Sequence, residues 1–466
     1  MHGDPLILSR LQFVFVIAFH IIFPAVTIGL ASYIAVLEGL YLARGDARYL
    51  RASQFWLRIF AVAFGMGVVS GIVMPFQFGT NWARFADHVA NVVGPLLAYE
   101  GLTAFLLEAT FLGVLLFGRN RVPQWAHFGA AVLVAAGTLF SSFWILAFNS
   151  WMQTPAGFVM EGSRFLPADF SAIIFSPSFP YRLAHTVSAF YNTTGFVVLG
   201  VSAYYLARGR HRKTALLMAR MTVFFLAVMM PLQIVLGDAH GLNTLQHQPA
   251  KIAAMEGLWE TRAPVPSVLF AIPDQDAQKN LFELSVPHLA SLYLTHSWDG
   301  QVTGLKAFAR EDQPPVLPVF FAFRVMVGIG VLMLLVAWWG AWLAWRGQLE
   351  HSPRFLQVAQ WMGPSGFIAV LAGWVVTEVG RQPWTVYGLL RTADSVSPTL
   401  TGLDVFLSLL FYQAVYFTVY AAAGYYLLRL IRQGPDAELA PDASARPMRP
   451  LSASSISLES ENCHGH

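Results

Sequence analysis

Six ionisable side chains stand where the surrounding sequence is otherwise apolar: His20, Glu100, Glu108, His185, Arg324 and Glu378. Placing one such group inside a lipid-embedded helix costs at least about 2.5 kcal/mol on insertion scales, so each needs a partner or a task. Carboxylates and imidazoles at such positions suit proton transfer, metal ligation or both. Met326 follows Arg324 closely and adds a thioether.

The elements that must position these groups are membrane helices. The chain has 466 residues, 56% hydrophobic and only 12% charged, with a mean hydropathy of +0.54; ordinary soluble domains are roughly 25% charged. Apolar runs long enough to cross a hydrocarbon core, about 20 residues, recur near 11–37, 55–78, 94–117, 124–148, 184–207, 218–238, 317–345, 360–379 and 403–429. The runs are continuous and not alternating, which predicts an all-α polytopic membrane protein of about nine spans and excludes a β-barrel. No basic segment precedes the first run, so it reads as a retained span and not as a cleaved signal.

Orientation follows from arginine and lysine. Arg44, Arg48 and Arg51, then Arg119 and Arg121, then Arg208, Arg210, Arg212 and Lys213, then Arg346 and Arg354 fall in the loops after spans one, three, five and seven, and Arg429 and Arg432 begin the tail. Those loops are expected in the cytoplasm. The N-terminus, the loop of 149–183, the long loop of 239–316 and the loop containing Arg381 are then expected on the periplasmic side, and the C-terminus in the cytoplasm. The net charge of +3 is accounted for by this topology, so no nucleic-acid partner is implied. Residues 1–432 read as one membrane domain and 433–466, rich in Ser, Pro, Ala and Glu, as a disordered cytoplasmic tail. The only cysteine is Cys463; this leaves no thiolate site in the spans and no CxxCH for covalent haem. The CHGH ending carries metal-capable side chains with nothing to position them. No internal repeat of the transporter kind is visible.

At about 1.5 Å per helical residue, His20, Glu100, His185 and Arg324 lie early in odd-numbered spans and Glu378 late in an even one. All five therefore fall in the outer half of the membrane, which reads as a cofactor layer. Met326 has the same depth as His185, and His/Met is a known axial pair for a six-coordinate haem iron. Glu108 lies roughly 12 Å deeper than Glu100 and suits a proton carrier. His127, at the inner edge of the fourth span beside Gln124 and Trp125, is expected to be solvated at the interface. The other histidines read as loop or tail residues. The six membrane histidines of a haem-copper oxidase and the two histidine pairs of a bc-type cytochrome b are both missing.

Eight ordered strings carry a resemblance: SRLQF at 9–13 followed by His20, FQFGTNW at 76–82, YEGLTAFLLEATF at 99–111, NSWMQTP at 149–155, AHTVS at 184–188, PAKIAAMEGLWET at 249–261, FAFRVM at 321–326 and WVVTEVGRQPW at 374–384. Up to about residue 430 the chain resembles subunit I of the cytochrome bd-type quinol oxidases. The resemblance implies that His185 and Met326 are axial ligands of a low-spin haem b. It puts His20, Glu100 and Glu378 around a high-spin haem b and a haem d; His20 with Glu100 is assigned to the oxygen-reducing haem and Glu378 to the high-spin haem b, a pairing the motifs leave open. It further implies Glu108 in proton transfer, Lys251 and Glu256 in quinol binding, and Arg324, Trp374 and Arg381 beside the haems, with Arg324 offsetting propionate charge. Only a dozen residues separate GLKAF at 304–308 from FAFRVM, as in the short quinol-loop, cyanide-insensitive branch, some members of which carry a third haem b in place of haem d.

The function implied is oxidation of ubiquinol or menaquinol on the periplasmic side coupled to reduction of dioxygen to water with cytoplasmic protons, in a bacterial inner membrane. The expected partners are subunit II, a small single-span subunit and membrane lipid. The alternative is a haem-free proton or ion transporter using the same buried carboxylates.

Overall fold

The computed structural model describes residues 4–435, without the side chains of Ala104 and Phe105. The tail assigned to 433–466 therefore lies almost wholly outside the described residues. Helix α1 (Pro5–Arg44) starts where Asp4 accepts from the amide of Leu6 at 2.9 Å, with Pro5 in the first turn. It stops at Gly45, whose φ of +67° is a left-handed cap that a side chain would resist. Asp46 then caps α2 (Ala47–Thr80) by accepting from Arg48, so two residues, Gly45 and Asp46, reverse the chain. The next elements are α3 (Ala83–Phe117), α4 (Gln124–Gln153), α5 (Phe179–Ala207) and α6 (Arg212–His247). The short α7 (Pro249–Glu256) and α8 (Leu289–Thr295) follow, then α9 (Val316–Trp345), α10 (Pro353–Val379) and α11 (Gly402–Gln433). A reciprocal capping box between Thr401 and Asp404 opens α11.

Among the described residues, eight helices are long and apolar enough to cross a membrane. The ninth expected span, α5, has 29 residues, about 43 Å of helix, but Thr186, Ser188, Asn192, Thr193 and Thr194 dilute its apolar character. Three small antiparallel hairpins occupy the loops between helices: β1 (Phe158–Glu161) with β2 (Arg164–Pro167), β3 (Ser267–Asp274) with β4 (Lys279–Val286), and β5 (Trp384–Val386) with β6 (Leu390–Arg391).

Packing is unevenly distributed along the bundle. The largest apolar core lies at the end that carries the short arginine-rich loops, and includes Leu30, Phe55, Trp56, Phe60, Tyr205 and Phe355. Small residues allow close crossings there: a Cβ on Gly200 of α5 would stand 3.1 Å from the Cα of Gly363 in α10. The same end is pinned by Glu38 of α1, which is ion-paired to Arg119, accepts from Ser53 of α2 and lies 3.3 Å from His127 of α4. His127 is only 1% exposed and its other ring nitrogen faces the carbonyl of Leu115 at 3.1 Å. The expectation that His127 is solvated is therefore corrected: Glu38, at the very end of the first apolar run, draws it inward. With close packing concentrated at one end, open space is left in the other half of the bundle.

Candidate functional site

That half holds one cavity of about 1280 Å³, larger than the 300–1,000 Å³ usual for small-molecule sites. It is lined by His20, Glu100, Glu108, His185, Lys251, Glu256, Arg324, Met326, Trp374 and Glu378. Arg381 is the one expected residue outside the lining, and it reaches the site through its ion pair with Glu378.

His20 projects from α1 toward α2, where its Nδ1 lies 2.9 Å from the hydroxyl of Ser70. Ser70 has the carbonyl of Met66 at 2.9 Å as an acceptor for its own proton, which frees its oxygen to accept from Nδ1–H, the tautomer that leaves the Nε2 lone pair for a metal. His185 on α5 has the amide nitrogen of Gln233 3.1 Å from its Nδ1 and the ring of His240 with its centroid at 5.5 Å. Met326 enters from α9.

Each of these three donors faces a glycine. A Cβ at Gly71 would lie 3.2 Å from His20 Cε1, one at Gly237 3.2 Å from His185 Cε1, and one at Gly373 3.0 Å from Met326 Sδ. Three helices thus give up side-chain volume beside three soft or nitrogen donors, which is the space a flat macrocycle needs. No group of three or more His, Cys, Asp or Glu that could hold a bare metal ion occurs among the described residues.

Glu100 opens a π-helical turn, Glu100–Phe105, within α3; such turns recur at functional sites. Its carboxylate accepts from Ser141 of α4 at 3.0 Å. Glu108, one segment further along α3, is 7% exposed and its Oε1 has no hydrogen-bond partner. It lies against Gly137, where a Cβ would come within 2.7 Å of its Cγ.

Glu378 is already engaged. Its Oε1 accepts from Asn149 at 2.9 Å and Gln153 at 3.3 Å, and its Oε2 pairs with Arg381. Gln153 also accepts from Lys251 at 2.8 Å, and Asn149 from Arg182. Three buried basic side chains, Arg182, Lys251 and Arg381, therefore surround one buried carboxylate. Burial, with Arg182 adding to it, pushes the Lys251 ammonium well below the usual lysine range. An uncompensated cation cluster of this kind is costly and fits a ligand that brings carboxylates of its own, as haem does.

The remaining charges form a second group. Glu256 accepts from the phenol of Tyr293 at 2.7 Å, and burial holds its carboxyl above the ordinary range. Lys251 and Glu256, five residues apart on α7 and so about 140° apart around the helix, thus bond to different partners. Arg324 has a different setting from the one expected. Four of its five N–H groups are spent on backbone carbonyls of Val268, Met255 and Phe320, and the guanidinium sits 3.3 Å over the Phe320 ring. It clamps the long loop to α9 and leaves little donor capacity for a propionate.

Sequence reasoning missed Arg182 and His240. Arg182 sits just ahead of the apolar run and His240 just beyond one, because α6 continues past residue 238 to His247 through a polar stretch. His240 was read as a loop residue; it lies on this helix and lines the cavity.

Comparisons with known proteins identify the family. Residues 8–435 match the family model for cytochrome bd terminal oxidase subunit I. The chain belongs to this family. It is 36% identical over 452 residues to "Cytochrome bd ubiquinol oxidase subunit 1" of Bacillus subtilis, covering 92% of this chain and 94% of that one. It is 34% identical over 504 residues to "Cytochrome bd-II ubiquinol oxidase subunit 1" of Escherichia coli, covering 93% and 98%. The solved bd oxidase of Geobacillus thermodenitrificans superposes with a TM-score of 0.84 at 29% identity, over 93% of this chain and 100% of that chain. As a cytochrome bd subunit I, the protein is a multi-pass component of a bacterial inner-membrane terminal quinol oxidase, works with haem and quinol, and pairs with a subunit II. This decides against the haem-free transporter.

The Ser70 contact gives a testable expectation for a cytochrome bd site. Partners that orient a metal-bound histidine are worth roughly 10–100-fold in affinity. Ser70→Ala should lower haem retention by that order, measured as haem per protein after competition with an apo-haem acceptor; unchanged retention would show that the Ser70 contact does not orient a ligand.

Proposed function

We propose that this chain oxidises quinol at the periplasmic side and delivers the electrons to dioxygen, with protons for water drawn from the cytoplasm. The observation that carries the reading is the cavity in which His20, His185 and Met326 each face a glycine while Arg182 and Lys251 in its lining, and Arg381 behind Glu378, supply excess positive charge. His185 and Met326 would hold a low-spin haem b; His20, Glu100 and Glu378 would flank a high-spin haem b and either haem d or a third haem b. Arg182, Lys251 and Arg381 would hold propionates. When bound, these groups supply one-electron transfer and the chemistry of dioxygen.

The protein's own residues then bind quinol and move protons. Each quinol gives up two electrons and two protons, and each dioxygen takes up four of both to become two waters. Glu256 accepts a quinol proton, with Tyr293 orienting its carboxylate, and releases it on the outer side. Glu108, buried with an unpartnered oxygen and deeper than Glu100, holds and passes protons arriving from the arginine-rich side. Because quinol protons leave on one side and those for water enter from the other, charge is separated without a pumping step. The short stretch between residues 308 and 321 supports the short quinol-loop branch, and membership in a complex supports a small single-span subunit beside subunit II.

Acid dependence tests the quinol step. An acceptor carboxyl works only when ionised, and burial raises the pKa of Glu256, so quinol oxidation should fall as pH drops through a value above the ordinary glutamate value of about 4.3. Glu256→Gln should remove this acid limb and slow quinol oxidation by about 10²–10⁴-fold, while leaving haem spectra unchanged. An unaltered pH profile of steady-state quinol oxidation in that variant would exclude Glu256 as the acceptor.

A further inference from the structure

The β3–β4 hairpin is too apolar for a loop segment in water. Phe282 is 80% exposed and Leu284 61%, and Leu269, Phe270 and Ile272 are also exposed. The cross-strand pairs Phe270 with Leu284 and Ile272 with Leu281 place apolar side chains side by side, and along β4 Phe282, Leu284 and Val286 alternate with Glu283 and Ser285, so the apolar face that such a hairpin normally packs on a core is here left exposed. Contiguous patches of this kind on soluble surfaces mark contact with protein or membrane.

The hairpin's placement against α9 identifies what it meets. Its polar tip, Asp274 to Lys279, is tied to the start of that span: Gln275 accepts from the amide of Val316 at 2.9 Å and Gln278 donates to Gln313 at 3.0 Å. From there the strands descend beside the helix. Phe270 packs on Phe321 with ring centroids 6.2 Å apart, and the carbonyl of Val268 accepts from Arg324 at 2.9 Å. Val316 to Arg324 is about 12 Å of helix, so the stem flanks the first two turns of a membrane span whose own exposed residues, Leu317, Val325 and Val327, are apolar. The charges obey the same division: Asp274, Asp276 and Lys279 are at the tip, and the one charge in the stem, Glu283, is held by Asn280 at 2.8 Å.

We propose that the β3–β4 hairpin is seated in the lipid interface beside α9, with Phe270, Phe282 and Leu284 in the headgroup and acyl boundary and the tip in water. The occupant of the patch is bilayer lipid, continuous with the lipid around α9; such seating needs only a shallow insertion of roughly 5–10 Å. Leu269 is exposed on this hairpin and also lines the cavity, so the seated hairpin brings the cavity's edge to the bilayer.

The test uses the intact oxidase complex in liposomes, in a Cys463→Ser background that removes this chain's one native thiol, with unsubstituted Cys463→Ser complex as the labelling blank for the partner subunit. Single cysteines are introduced by Phe282→Cys, Leu284→Cys and Asp276→Cys and labelled with a nitroxide, and collision rates are measured with oxygen, which partitions into lipid, and with a water-soluble nickel chelate. Labels at 282 and 284 should give an oxygen-to-nickel ratio several-fold above that at 276. Equal ratios at all three would overturn the proposal in favour of a solvated loop. Shielding of 282 and 284 from both reagents would overturn it in favour of a protein partner or a second copy. Two stem positions guard against a local distortion at either one.

Discussion

Membranes carrying His185→Ala or Met326→Leu should contain the protein at normal levels, lack the low-spin haem absorption, and lose quinol oxidation to background. Insertion and packing depend on the apolar runs and on the core around Trp56, Phe60 and Tyr205, to which neither of these two cavity-lining side chains belongs, so the chain should persist. The ligand function has no substitute. A leucine at 326 keeps the shape but has no sulfur to offer a metal, and His240, although its ring is near that of His185, projects from a different helix. Gly237→Val should reproduce the phenotype without touching either donor, because even a Cβ at that position stands 3.2 Å from the His185 ring. A normal low-spin spectrum in His185→Ala or Met326→Leu would make the ligand assignment wrong.

The second large effect concerns Glu108. General acid–base groups are worth about 10²–10⁴-fold in rate, and Glu108→Gln should slow dioxygen reduction by that order while leaving haem content and anaerobic reduction by quinol intact. Glutamine has the same shape, and one oxygen of Glu108 already has no hydrogen-bond partner, so the packing against Gly137 is preserved and only the transferable proton is removed. Glu100→Gln is the contrasting case, because Glu100 is bonded to Ser141 and its loss should also disturb the spectrum of the site. Stopped-flow oxygen reaction of the pre-reduced enzyme distinguishes the two. Full turnover in Glu108→Gln would remove it from the proton path.

The groups legible in the sequence are those that lipid makes expensive. His20, Glu100, Glu108, His185, Arg324 and Glu378 stood out because hydrocarbon tolerates such residues only with a reason, and they meet at one cavity. The apolar runs were legible for the same cause, each matching a helix of spanning length. What escaped lies where that pressure is absent. Arg182, His240 and Glu38 sit just outside the apolar runs, where helices continue after the composition has turned polar. The π-turn at Glu100 leaves no compositional trace, since it changes hydrogen-bond register and not residue type. The partners of Arg324 were illegible because they are backbone carbonyls of the long loop, which any sequence supplies. Strands β1, β2, β5 and β6 have at most four residues, too few to alternate visibly, and the eight-residue β3 and β4 pair with register shifts that interrupt the alternation.

Haem content tests the whole scheme most directly. Pyridine haemochrome analysis of the purified complex should give three haems for each copy of this chain, at least two of them haem b, with the low-spin signal lost in His185→Ala. A purified, folded complex with no haem bands would contradict the reading of the cavity and of every residue assigned to it.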